Sequence, residues 1–155
     1  MVGHCLISVT TFRVADALGD TPQTAAELAA ATGTDPGALH RMLRLLAAHG
    51  VFECSEDRFA HTPASQLLRV GHPHSMRDFV AVYGTPTVTE HLAYFDYVLQ
   101  TGRPTPYKLN LDGFFALIHA DPDIATLNSR PNSGSAWRMA KIPSRFILQG
   151  VGLPV

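Results

Sequence analysis

At 155 residues, 46% hydrophobic and 16% charged, the chain can bury a real core and has the composition of an ordinary soluble globular domain. A formal charge of −1 excludes a global electrostatic pull toward nucleic acid or anionic lipid. No apolar run approaches the ~20 residues of a membrane span, and the N-terminus lacks a signal-peptide pattern, so a reducing cytoplasm is expected, with Cys5 and Cys54 as separate buried thiols.

Residues 3–18, "GHCLISVTTFRVADAL", read as one helix with two apolar faces. Ile7, Val14, Ala15 and Leu18 share one face, while Cys5, Val9 and Phe12 lie nearly opposite. A helix apolar on both sides must be covered on both sides. Either it is sunk in its own core, or Cys5, Val9 and Phe12 meet a second subunit.

Thr24 and Glu27 form a T-x-x-E capping box that opens a helix, and Gly33 can close it. Asp35 caps the next helix with Pro36 at its first position, where a missing N–H costs nothing. Leu39, Met42, Leu43 and Leu46 make its buried stripe, and Gly50 ends it. Two strand-like pieces follow, Val51–Cys54 and Arg58–His61, around the polar tip Ser55-Glu56-Asp57. Thr62-Pro63 starts a short helix carrying Leu67 and Leu68. Helix, turn, helix and hairpin spell a winged helix over about 21–70, in a mainly α chain with additional C-terminal helices.

Beyond the linker "VGHPH", Ser75 and Asp78 signal another helix start, with Met76, Phe79, Val80 and Tyr83 as its apolar stripe. A longer helix over 87–101 carries Val88, Leu92, Phe95 and Leu99 on one side and stops at Gly102. A Pro-rich connector over 103–111 precedes short helices over 113–119 and 122–128, the second capped by Asp121. This helical extension covers 75–128, and 129–155 shows no sustained period and reads as a weakly ordered tail.

A winged helix that reads DNA presents basic side chains on its second helix and wing. Here the helix offers Arg41 and Arg44, with His40 and His49 nearby, while the wing sets Glu53, Glu56 and Asp57 against Arg58. Specific DNA binders neutralise something like 6 to 10 phosphates. Even with Arg69 added, this surface supplies a handful of cations partly cancelled by acids, so Arg41 and Arg44 read as a solvated face.

Taken together, residues 12–128 resemble the N-terminal dimerisation domain of S-adenosylmethionine-dependent small-molecule O-methyltransferases, the plant caffeate and bacterial polyketide-tailoring type. "VADALGDTPQTAAELAAATG" resembles that family's first winged-helix helices. "LHRMLRLLAAHGVFE" and "RFAHTPASQLLR" resemble its recognition-helix analogue, wing and following helix. "VLQTGRPTPYKLNLDGFFALIHADPDIATLN" is similar to the segment from a TG turn, through a G-x-x-F pair, to a D-P-x-x-x-x-F-N element. The resemblance implies a module that interlocks two subunits and roofs an aromatic acceptor, with Val82 and Tyr83 on the stretch that touches it.

The family's cofactor-binding domain has no counterpart in these residues. After Asn128 only the stretch to Val155 remains, shorter than the roughly 30 residues of one βαβ unit. Gly150 and Gly152 form a lone G-x-G with no acid before it and no helix after, and read as tail. Leu127-Asn128 stands where the family has F-N, Pro131 interrupts what should continue, and Leu92 stands in place of a Trp. The expectation is a family member clipped at both ends, with no catalytic, cofactor-binding or metal residues of its own; S-adenosylmethionine is implied only for a full-length relative.

Other candidate chemistry is thin. His72-Pro73-His74 lacks a third ligand and reads as an exposed linker, with its rings pointing apart. His91 reads as a surface histidine, with Asp96 too far round the helix to orient it. Asp16, His119 and Asp121 show no acid–base pattern, Tyr83, Phe95, Phe114 and Phe115 read as core, and Trp137 falls in the tail. The expected function is dimerisation and substrate roofing without catalysis, as a homodimer or as a heterodimer with a related methyltransferase. Two alternatives stand: part of a split or fragmentary O-methyltransferase acting on a small aromatic acceptor, and a DNA-binding transcription regulator.

Overall fold

A computed structural model describes residues 1–105, 108 and 121–128. Expectations for 113–119, His119, Phe114, Phe115, Pro131, Trp137, Gly150, Gly152 and the tail lie outside the described residues.

The N-terminal segment forms two helices rather than one, α1 (Val2–Thr11) and α2 (Val14–Leu18). The break falls at Arg13, whose φ of 56° is left-handed, a conformation that costs a non-glycine residue on the order of 1–2 kcal/mol. Packing offsets that strain. Turning the chain here places Val14, Ala15 and Leu18 at 0%, 2% and 1% exposure, and leaves Phe12 outside at 52%. The two-faced helix is therefore corrected: Val9 and Val14 enter one core from two differently directed helices. Gln23 closes α2 by donating from Nε2 to the Ala17 and Leu18 carbonyls.

The next helices follow their local chemistry. In α3 (Ala25–Thr32) the Glu27 amide donates to Thr24 Oγ1 at 3.3 Å, while the Thr24 amide donates to Glu27 Oε2 at 2.7 Å. The Thr24 amide, then the Thr24 hydroxyl donating to the same Oε2 at 2.9 Å, with Arg58 behind them, hold the Glu27 carboxyl below its ordinary pKa. Asp35 accepts from the Ala38 amide at 2.7 Å to open α4 (Pro36–Ala48). At its end, Gly50 donates to Ala47 O and Val51 to Leu46 O, both at 2.9 Å, a Schellman closure that uses Gly50's φ of 74°.

Strands β1 (Gln23–Thr24), β2 (Phe52–Ser55) and β3 (Arg58–His61) form an antiparallel sheet in the order β1-β3-β2. Phe52 faces His61 and Cys54 faces Phe59 across the hairpin, while Gln23 pairs with Phe59 on the other edge. Glu56 and Asp57, with φ of 49° and 61°, form the tip; two consecutive left-handed residues are the signature of a type I′ turn, here built without its usual Asn-Gly. Helix α5 (Pro63–Gln66) is capped reciprocally by Thr62 and Ser65. Leu67 and Leu68 fall just past it, and Leu68 joins the core with Leu28, Leu43, Leu46, Phe52 and Phe59.

The extension departs from its pattern. Helix α6 (Arg77–Val82) begins two residues after Ser75, whose hydroxyl accepts from the Arg77 amide instead of serving as the cap. It buries Asp78 and Val82, at 7% and 1% exposure, while Tyr83 of the expected stripe is 40% exposed. The long helix over 87–101 is two helices, α7 (Pro86–Leu92) and α8 (Phe95–Thr101), ended by left-handed Gly102. Of its expected buried side only Val88 is inside; Leu92, Phe95 and Leu99 are 39%, 57% and 86% exposed. Helix α9 (Pro122–Asn128) starts with Asp121 accepting from the Ile124 amide, and Ile124 joins Val82 and Val88 in a second small core.

Candidate functional site

An apolar groove of about 340 Å³ lies between the end of α1 and the α3–α4 turn. Ser8 and Phe12 form one wall, Thr34, Ala38 and Met42 the other, and Val9 and Leu39 the floor. Of the three residues expected at an interface, Val9 is 2% exposed and belongs to the chain's own core. Cys5 is half-buried, and only Phe12 offers an open side chain.

Several charges near the face that would meet DNA are engaged in internal pairs. His40 on α4 and Asp57 at the wing tip meet at 2.6 Å, Nε2 to Oδ1, tying the tip back onto the helix. Arg58 reaches Glu27 Oε2 at 3.5 Å and the Pro22 carbonyl at 3.2 Å, and Arg69 pairs with Asp20 at 3.2 Å. Asp57 thus answers His40 and not Arg58 alone, a link across seventeen positions that no local spacing announces. Arg41 and Arg44 remain on the exposed side of α4. Arg44 also lines an open groove of about 520 Å³ beside β2, together with Glu53, Cys54 and Thr62.

Behind the wing, His61 shares a 2.8 Å hydrogen bond between Nδ1 and the Ser65 hydroxyl. Burial, reinforced by the Arg69 charge, pushes its pKa below the usual histidine value, against a smaller opposing pull from the Ala15 backbone, Asp20 and Asp16. The folded state thus disfavours the protonated form of His61.

At the α6–α7 turn, Val82 sits inside the second core at 1% exposure, so what this turn presents outward is Tyr83, its ring edge-on to Phe79 at 5.2 Å. His91 is buried at 5% exposure, which corrects its expected surface position; its Nδ1 donates to the Thr87 carbonyl at 2.6 Å. Tyr83 and Phe95 are exposed instead of forming core. The rings of His72 and His74 lie 6.1 Å apart, closer than the central proline suggested, and no group of three or more metal-ligating side chains occurs among the described residues. Cys5 and Cys54 are free thiols, and Cys54 is exposed on the wing, not buried. Asp16 accepts from the Val70 amide at 2.9 Å and pairs with Arg13, a structural role. No helix among the described residues is long and apolar enough to cross a membrane.

With this geometry in view, residues 1–71 match the model of the O-methyltransferase dimerisation domain. The chain is 40% identical over 124 residues to the 8-amino-8-demethylriboflavin N,N-dimethyltransferase of Streptomyces davaonensis, covering 78% of this chain and 33% of that enzyme. It is 34% identical over 132 residues to the 3-amino-4-hydroxybenzoate 4-O-methyltransferase of Streptomyces cremeus, covering 84% and 36%. Among solved structures it superposes on CalO1, a methyltransferase of calicheamicin biosynthesis, with a TM-score of 0.71 at 28% identity over 99% of this chain and 45% of that one. The chain therefore spans about a third of the length of the curated relatives it matches.

Proposed function

Residues 1–71 belong to the O-methyltransferase dimerisation-domain family, and from that premise we propose that the chain acts by self-association, bringing two copies together through its winged-helix half. The extension from Ser75 onward covers the site of a small aromatic acceptor, to which exposed Tyr83 offers a ring face and a hydroxyl. Relatives named for aminated riboflavin and for an aminohydroxybenzoate point to an aromatic ring bearing a hydroxyl or amine as the acceptor class.

S-adenosylmethionine is held by residues other than those described, so this segment by itself transfers no methyl group. The same pairing face would accept a related methyltransferase subunit in place of an identical copy. The reading rests on one observation: the family match falls on a winged helix whose wing tip is tied to its own reading helix by His40 and Asp57. A tip tied this way carries the carboxylates of Glu56 and Asp57 instead of cations for a phosphate backbone, which favours association over DNA reading.

Sedimentation equilibrium from about 1 to 100 µM tests the association, with a reversible dimer expected. A monomer across that range would overturn it. Calorimetric titration with S-adenosylmethionine is expected to show no saturable heat, and a saturable isotherm would refute the non-catalytic reading.

A further inference from the structure

Phe12 is 52% exposed although Val9, Val14, Ala15 and Leu18 around it are all at 2% or less. A single exposed ring is ordinary by itself, but this one stands at the rim of an apolar hollow. Immediately beside it lies the groove of about 340 Å³, and a dry cavity of roughly 150 Å³ already accepts benzene. The polar side chains of its lining are already engaged. Ser8 donates to the His4 carbonyl at 2.9 Å, Thr34 shares a 3.0 Å bond with Thr32, and Asp35 accepts from the Ala38 amide at 2.7 Å. What remains open to an occupant is mainly hydrocarbon, the complement of an aromatic side chain.

We infer that this groove receives Phe12 of a second copy of the chain, each ring entering the other's groove about a two-fold axis between the ends of the two α1 helices. The inference rests on the self-association proposed above and deepens it by naming the contact. A two-fold interface must be self-complementary, and here protruding ring and unfilled hollow share one patch. Every residue lining the groove falls within the stretch matched to the dimerisation domain. A net charge of −1 puts little repulsion between copies.

The test compares the full chain with Phe12→Ala, which removes the ring, and Ala38→Leu, which fills the hollow and leaves Phe12 in place. Sedimentation equilibrium reads the dimer, and circular dichroism verifies that each variant stays folded, as expected for Phe12 because its ring is half outside. Both variants should weaken the dimer, Phe12→Ala by on the order of 100-fold because two rings are lost per dimer. A dimeric parent with both variants within threefold of it overturns the contact while leaving self-association standing. That result together with saturable binding of an anilinonaphthalene dye, abolished by Ala38→Leu, would assign the groove to a small apolar ligand and likewise overturn the inference. A monomeric parent removes self-association, and the contact with it.

Discussion

Gly84 is exposed, yet a Cβ built on it would lie 2.5 Å from Ile7 Cγ2 on α1 and 3.3 Å from the Ala81 carbonyl oxygen. Its φ lies outside the left-handed range, so Gly84→Ala is allowed by the backbone. On backbone entropy alone that substitution stabilises a protein by about 0.4–1 kcal/mol. The steric term opposes it. The obstructing atom belongs to a β-branched side chain, stiff about χ1, and cannot swing aside like the end of a lysine. Overpacking of this kind costs roughly 1–3 kcal/mol, so the clash outweighs the entropy and the variant should be less stable by about 0.5–2 kcal/mol. Urea denaturation at fixed protein concentration reads the change free of shifts in dimer population. Ile7→Ala removes Cγ2, so in the Ile7→Ala background Gly84→Ala should become neutral or stabilising. If the two changes are instead additive within about 0.5 kcal/mol, Gly84 is not the point where the extension meets α1, and the reasoning is refuted.

Two further outcomes follow from the same physics. His61 has a native pKa pushed below 6.5, so the unfolded chain takes up its proton first as pH falls. The stability it contributes is complete above pH 6.5 and is lost as pH drops through the lowered native value; His61→Gln should flatten that part of the stability–pH curve. At the wing tip, Glu56 holds a φ of 49°, and Glu56→Asn should raise stability by roughly 0.5–1 kcal/mol, because asparagine tolerates the left-handed region that a type I′ turn demands. Loss of stability on that change would contradict the turn geometry.

Which features were legible in sequence follows the range of the interaction. The Thr24–Glu27 box, Asp35 with Pro36, Gly50 and Asp121 act within three to five residues, so spacing alone identified the helix ends, and hydrophobic period with turn chemistry identified the winged helix. Cys5, Val9 and Phe12 were legible as one apolar set, and only folding separated them, sinking Val9 in the core and leaving Phe12 outside. The turn at Arg13 was not legible, since no proline or glycine marks it and the strain is accepted only because burying Val14 and Leu18 offsets it. The His40–Asp57 tie and the two-residue strand at Gln23–Thr24 depend on partners brought together by folding.

The extension shows the division most clearly. Its sequence marked helices over 75–101 by their starts and by the stop at Gly102, but its apolar stripes put Tyr83, Leu92, Phe95 and Leu99 on the inward face, and all four are exposed. Packing decided which face turned inward: α9, far downstream, brings Ile124 against Val82 and Val88, so α6 buries Val82 and Asp78 while Tyr83 stays outside. A local pattern can specify that a segment is helical, because its hydrogen bonds are short-range. The burial of a face is a property of two surfaces, and the second one here lies far along the chain.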